Sequence, residues 1–170
     1  MDTPLANSYW VLPGKLLAGE HPFGEDPLDA LIRFAALRDA GIDFFIDLTE
    51  IGERPPYQRL LHRASNYFRF PIPDCGVPGD EAQMRQILSV IREALASDRK
   101  VYVHCRAGIG RTGLVIGCFL AEQGSAGKAA LKQLNKLWKK SERSKTWAKV
   151  PQTENQADYI LRWSVLQRAG

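Results

Sequence analysis

Only three cysteines, Cys75, Cys105 and Cys118, and three histidines, His21, His62 and His104, occur among the 170 residues. No Cys-x-x-Cys pair and no paired histidine spacing is present, which excludes the common zinc frameworks. Three cysteines are too few for the disulfide scaffold of a small secreted domain, so a reducing compartment is implied. Long apolar runs are missing too: no window approaches the roughly 18 residues of a membrane-spanning helix. The opening MDTPLANSYW lacks the basic and then apolar pattern of a secretory leader. A soluble, cytoplasmic protein without a membrane span is expected. Repeats and linkers are also absent. With 45% hydrophobic and 25% charged residues, the chain suits one domain over residues 1–170.

What is present concentrates at HCRAGIGRTG, His104 to Gly113. The preceding Val101, Tyr102 and Val103 read as a short buried strand, and the residues from about Arg111 onward read as an apolar helix. The first N–H groups of a helix lack intrahelical partners and carry the positive end of its dipole, so an oxyanion such as phosphate fits there. Arg106, Ala107, Gly108, Ile109 and Gly110 would form the cradle. Its glycines let the backbone approach the anion and take a positive φ where required. The same positive field, with a neighbouring cation, favours the thiolate of Cys105. Arg111 offers a planar fork for two phosphoryl oxygens, a geometry lysine lacks. The Thr112 hydroxyl is placed to donate to the Cys105 sulfur and make it a better leaving group. A Walker-type nucleotide loop is excluded, because no Lys followed by Ser or Thr comes after the glycines. Cys118, inside an apolar helix, reads as inert core.

A thiolate nucleophile expelling an alkoxide or phenoxide needs an acid on a separate loop. Asp74 is the candidate, in FPIPDCGVPGD, Phe70 to Asp80, where prolines and glycines exclude regular structure. An aspartate that merely caps a turn is the alternative. Asp80 and Glu81 read as the N-terminal cap of the next helix.

Strands are expected at Tyr9 to Leu12, Leu16 to Ala18, Ile42 to Leu48, Tyr67 to Ile72 and Val101 to His104. Helices are expected at Pro27 to Ala40, Tyr57 to Ala64, Asp80 to Ala96, Arg111 to Gln123, Ser125 to Lys140 and Thr153 to Arg168. Strands alternating with helices argue an α/β three-layer sandwich with a central, mostly parallel sheet flanked by helices. Ligands of such sheets bind at the carboxyl ends of the strands.

The loop resembles the HCxxGxxRT/S signature of cysteine-dependent protein tyrosine and dual-specificity phosphatases. PIPDxxxP, about thirty residues upstream, is similar to the acid loop of small atypical dual-specificity members. SYWVLPGKLLAG resembles their opening strands, so the likeness runs from about Trp10 to Arg168. PQTENQ, Pro151 to Gln156, resembles the glutamine loop of tyrosine-specific members. That likeness implies that Gln152 orients the hydrolytic water, with Gln156 assisting and His104 supporting the nucleophile. The same residues also suit a capping box from Thr153 to Gln156, and both readings can hold together. The resemblance implies a phosphocysteine intermediate, phosphorylated proteins or peptides as substrates, and no metal or other cofactor. The departure is a dual-specificity size and acid loop combined with a tyrosine-phosphatase-like cradle.

GERPPY, Gly52 to Tyr57, is a candidate pocket wall in which Tyr57 or Arg54 stacks on or steers a substrate, or else a solvated turn. Arg106 directly after the nucleophile resembles phosphoinositide phosphatases, which also carry a mid-loop lysine where this chain has Ile109. Inositol phosphates, phosphoinositides or RNA 5′ ends are therefore the alternative substrates. From Lys128 to Lys149 there are eight cationic residues against one acid, Glu142, while the whole chain carries a net +4. This stretch is either a solvated helix face or a surface that steers anions. Trp138, Trp147 and Trp163 read as packing residues, since no interleaved basic and aromatic pattern is present; nucleic acid is not an expected partner.

Overall fold

The computed structural model describes residues 2–125 and 127–166. A five-stranded sheet forms the centre, built from β1 (Ser8–Leu12), β2 (Leu16–Gly19), β3 (Phe44–Asp47), β4 (Asn66–Arg69) and β5 (Val101–His104). Their order across the sheet is β1-β2-β5-β3-β4. β1 and β2 form an antiparallel hairpin, and every other pairing is parallel. The helices are α1 (Pro27–Asp39), α2 (Glu81–Ala96), α3 (Gly110–Glu122), α4 (Lys128–Trp138) and α5 (Glu154–Leu166).

Strand alternation divides the core into two layers. Val101, Val103, Ile46, Leu16, Ala18 and Tyr9 join the larger cluster with α2, α3, α4 and α5. Tyr102, Phe45, Leu17 and Trp10 join a smaller one with Ala30, Phe34 and Leu37 of α1. β5 is covered on both faces and flanked by strands on both edges, which explains why VYVH is fully buried. Asp26 caps α1 by accepting from the Leu28 and Asp29 amides, with Pro27 in the first turn. Asp80 caps α2 by accepting from the Gln83 amide, as its sequence position suggested.

Some expected elements are shorter. The helix read over Tyr57 to Ala64 is a single 3-10 turn, Gln58–Leu60, because Leu61 has already returned to extended backbone. The helix read from Ser125 begins at Lys128, since Gly124 and Gly127 take positive φ. Gln167 and Arg168, at the end of the expected last helix, lie outside the described residues.

α3 and α5 approach closely at Gly117, where an added Cβ would stand 2.2 Å from Ile160 Cδ1 and 2.8 Å from Cγ1. Gly117→Ala is expected to destabilise the fold by about 1–3 kcal/mol, the overpacking cost exceeding the gain in helix propensity. Ile160→Val removes the nearest methyl, so the double variant is expected to lose less than the sum of the two single changes. Urea denaturation of the four proteins measures this coupling; strict additivity would contradict the contact.

Candidate active site

The carboxyl end of β5 delivers Cys105, 3% exposed, into a loop that α3 resumes at Gly110. This loop is pinned to the exit of β2. The His21 amide donates to the Arg106 carbonyl at 3.1 Å. Gly108 has φ +76°, and a Cβ there would stand 2.6 Å from the Gly19 carbonyl carbon and 2.9 Å from the Glu20 nitrogen. Only glycine fits, for conformation and for space. Glu20, itself buried, accepts from Arg33 at 2.6 Å and from Arg143 at 2.5 Å, which fixes the strand exit against which the loop rests. Arg106 is exposed at the lip, Ala107 is half-buried, and Ile109 is buried. Thr112 departs from its expected partner: its hydroxyl donates to the Gly19 carbonyl at 3.5 Å, because the first turn of α3 turns this side chain toward β2.

The Arg111 side chain is buried and held by three residues from two loops. Glu53 grips it with both carboxylate oxygens, accepting from Nη1 at 2.7 Å and from Nη2 at 2.5 Å. The Ile72 carbonyl accepts from Nη1 at 3.2 Å. Asp74 Oδ1 lies 3.1 Å from Nη2, with about half of its side chain exposed. The structure thus brings Asp74 to the cradle arginine. It is a turn residue as well, since the same oxygen accepts from the Cys75 amide at 3.1 Å. Burial alone would raise the Glu53 pKa, but the hydrogen bonds from Arg111 outweigh it and hold the carboxyl below its ordinary value. Sequence reasoning passed over Glu53, although it stands in the GERPPY loop just beyond the carboxyl end of a parallel strand, where ligand sites gather.

Behind the cysteine lies a buried hydrogen-bond frame. The Tyr57 hydroxyl donates to His104 Nε2 at 2.5 Å, which leaves Nδ1–H to donate to the Cys105 carbonyl at 3.3 Å. Tyr57 is 1% exposed, so it is not the pocket wall considered from sequence; it packs among Phe34, Phe45, Tyr67 and His21 instead. Arg54, the other wall candidate, donates to the Gly24 carbonyl at 2.5 Å. Asp47 accepts from the Thr49 amide and hydroxyl on one oxygen, and from Tyr67 and Arg69 on the other. His21, Asp47 and His104 bring their ligand atoms within 4.8 Å of one another. A metal would have to displace donors from both Asp47 oxygens and from His104, so the cluster suits a hydrogen-bond frame better than a coordination site. His21 Nδ1 accepts from the Phe23 amide at 3.3 Å, and its ring meets those of Tyr57 and His104 edge-on.

The glutamine motif closes the far side. Thr153 and Gln156 form the reciprocal capping box: the Gln156 amide donates to Thr153 Oγ1 and the Thr153 amide donates to Gln156 Oε1, each at 3.2 Å. Gln156 Nε2 also donates to the Gly76 carbonyl at 2.8 Å, tying the acid loop to α5. An added Cβ on Gly110 would stand 3.0 Å from Gln152 Oε1 and 3.1 Å from Gln156 Nε2. Both glutamines therefore abut the cradle. Cys75 has φ +58°, a left-handed conformation uncommon for a residue with a side chain. Trp138 and Trp163 are core, whereas Trp147 is 41% exposed.

Two expectations follow. Glu53→Gln leaves Arg111 with weaker, neutral hydrogen bonding, and a charge-assisted pair is worth about 1.5–3 kcal/mol. Affinity for orthovanadate should fall about 10- to 100-fold in calorimetry, while Glu53→Asp retains part of it. An unchanged affinity would show that Glu53 does not position the arginine. The second concerns acid. Burial, and then the neighbouring His104, lower the His21 pKa from 6.5 to about 3, and burial lowers that of His104 as well. The unfolded chain binds these protons first, so stability is full above the unfolded pKa and declines as pH falls from about 6.5 toward 3. His21 alone should remove about 2 kcal/mol between pH 7 and pH 5. Denaturation midpoints of His21→Gln should show a shallower acid limb; a slope equal to that of the parent would contradict the assignment.

A family described as the Swiss Army Knife protein DSP-PTPase phosphatase domain matches residues 5–158. The tyrosine phosphatase 067L, so named, of Invertebrate iridescent virus 3 is 39% identical over 90 residues, 50% of this chain and 36% of that protein. Cyclin-dependent kinase inhibitor 3 of Sus scrofa is 36% identical over 91 residues, 49% of this chain and 42% of that protein. The similarity therefore spans less than half the length of these relatives. Among solved structures, the active form of Tk-PTP superposes with TM-score 0.74 at 21% identity, covering 94% of this chain and 97% of that one. Kinase associated phosphatase, with its catalytic-site cysteine replaced by serine, gives 0.75 at 22% identity, covering 91% and 88%. The Cys105 loop, the acid loop and the mostly parallel sheet thus sit in a chain that belongs to the DSP-PTPase phosphatase domain family, the tyrosine and dual-specificity protein phosphatases.

Proposed function

We propose that this phosphatase removes phosphate from phosphotyrosine in proteins, and also from phosphoserine and phosphothreonine, through a phosphocysteine intermediate. Residues 1–170 would act as one catalytic domain. The observation that carries this reading is the convergence of Arg111 and Asp74, 3.1 Å apart, on the loop that holds Cys105. In the first step the Cys105 thiolate attacks phosphorus as the bond to the leaving oxygen breaks, and Asp74, protonated, gives that oxygen its proton. The phosphoryl oxygens lie among the amides from Arg106 to Arg111 and against the Arg111 fork. Phosphate entering the cradle competes with Asp74 for Arg111, which frees the carboxyl to face the leaving group. In the second step Asp74 takes a proton from water, whose oxygen attacks phosphorus, and the sulfur departs as thiolate. Gln152, whose Oε1 lies beside Gly110, would orient that water. No step requires a metal.

The phosphoinositide alternative is weaker here, because Ile109, at the position of a mid-loop base, is apolar and buried. Cys105→Ser is expected to abolish turnover while phosphate still binds. Asp74→Asn should slow phosphotyrosyl peptides by about 10²- to 10⁴-fold and aryl phosphates with activated leaving groups far less. Steady-state kinetics on a leaving-group series decides this: an equal slowing of every substrate would place the acid elsewhere. Phosphoinositides and 5′-triphosphorylated RNA belong in the same panel, and a preference for either would overturn the protein-substrate reading.

A further inference from the structure

The rim around the cradle is divided by charge, and the sheet order makes the division spatial. β5 stands at the centre, with β3 and β4 on one side and β2 and β1 on the other. The loops leaving β3 and β4 carry Glu50, Glu53 and Asp74, with a cation, Arg54, turned to the Gly24 carbonyl, and Asp80 and Glu81 open α2 beyond them. On the opposite side, residues 139–149 follow α4 and carry five cations against one acid, Glu142. Their position is fixed by contacts: the Glu142 amide donates to the Ala6 carbonyl, and Arg143 grips Glu20, whose backbone nitrogen lies against Gly108 of the cradle. The Trp147 amide donates to the Arg143 carbonyl at 2.9 Å, and its side chain is partly exposed. Lys139, Lys140 and Lys149 are exposed, and none of them has an ion-pair partner among the described residues, whereas Lys145 pairs with Glu142.

From this division we infer that residues 139–149, with Lys139, Lys140, Lys149 and Trp147, form a docking surface for an acidic segment flanking the phosphorylated residue of a protein substrate. The inference rests on the protein-phosphatase reading above and adds to it the chemistry of the substrate's flank. A uniformly anionic surface, such as a bilayer, fits poorly. Laid across the mouth, it would meet Glu50, Asp74, Asp80 and Glu81 on one side, and Glu25 and Asp26 on the α1 side. A peptide crosses the rim in a single direction and meets only the cationic sector. Flexible carboxylates can also reach lysines spaced irregularly along a loop, and Trp147 offers a flat amphipathic face beside them. A nucleic acid strand would need repeated stacking platforms, and this loop supplies one exposed indole.

Rim charges act through encounter and salt-sensitive affinity, and not through the chemical step. The test uses a phosphotyrosyl peptide with three glutamates on one side, made in both orientations, against counterparts with glutamines, at about 50 mM and about 500 mM salt. The parent protein is expected to prefer one glutamate peptide by about tenfold in kcat/KM at low salt, with the preference largely gone at high salt. Lys139→Glu, Lys140→Glu and Lys149→Glu combined should abolish or invert that preference, while p-nitrophenyl phosphate turnover stays at the parent level and reports a folded site. Trp147→Ala should raise KM for the peptides and leave p-nitrophenyl phosphate unaffected. Equal rates on glutamate and glutamine peptides in both orientations, or a preference that survives the triple change, would overturn the docking surface without touching the phosphatase reading. Absence of p-nitrophenyl phosphate hydrolysis by the parent protein would instead remove the reading beneath it. Phosphatidylserine vesicles and a single-stranded RNA are compared in the Cys105→Ser protein. Tighter binding to either than to the acidic phosphopeptide, lost in the triple variant, would assign the surface to that anion and overturn the proposal.

Discussion

A buried guanidinium shared by two carboxylates organises this molecule. Arg111 is almost fully enclosed, and an unpaired charge in such a place would cost several kcal/mol. Glu53, from the loop after β3, and Asp74, from the loop after β4, satisfy it together with the Ile72 carbonyl. Two segments distant in sequence are thereby drawn to one cation on the first turn of α3. In the proposed reaction, a fork whose orientation is fixed before substrate arrives would not need to be ordered as charge develops in the transition state. Glu53 and Asp74 are not equivalent partners. The bidentate, partly buried Glu53 holds the guanidinium with both oxygens, while the half-exposed Asp74 meets it through one oxygen that also accepts from the Cys75 amide.

The cysteine is fixed from behind by different means. His104 is buried with its two ring nitrogens assigned by their neighbours, Tyr57 on one side and the Cys105 carbonyl on the other. Burial, together with the Asp47 carboxylate and the phenols of Tyr67 and Tyr102, pushes the Tyr57 pKa well up, so its hydroxyl remains a donor. Asp47 anchors the same frame from β3. Burial alone would raise its pKa, but neighbouring His104 and the hydrogen bonds from Thr49 and Tyr67 hold its carboxyl below the usual range. A satisfied polar network of this kind resists rearrangement, because each group that moves leaves another buried and unpaired. It suits a loop whose glycine at position 108 already touches the backbone of β2.

Some of this was legible in the sequence because local chemistry and global fold agree there. VYVH followed by CRAGIGRTG fixes a strand, a tight loop and a helix from neighbouring residues alone, and the family match extends well beyond it. The loop that carries Asp74 was readable because prolines and glycines mark it. Thr153 and Gln156 were readable because a capping box is a local pattern. Glu53 and Tyr57 were not. Their roles come from contacts made 58 and 47 residues away, and no periodicity or spacing encodes such a pairing. Tyr57 also shows how composition misleads at close range: an aromatic after Pro55 and Pro56 looks like a surface turn, yet the chain folds inward and places its ring between α1 and the sheet. For Thr112, too, the rotation of the first helical turn decides which neighbour its hydroxyl meets, here the Gly19 carbonyl.

The charge asymmetry follows from the same topology. The side of β5 that must neutralise Arg111 supplies carboxylates, so acids accumulate at the ends of β3 and β4. The opposite side has no such cation to satisfy; there the buried acid is Glu20, and Arg33 and Arg143 compensate it. Each buried charge at the mouth is thus matched by its opposite, Arg111 by Glu53 and Asp74, and Glu20 by Arg33 and Arg143. The lysines beyond Arg143 extend a polarity that the fold has already established at the cradle. A substrate seated there meets an electrostatic field with direction along the rim as well as into the pocket.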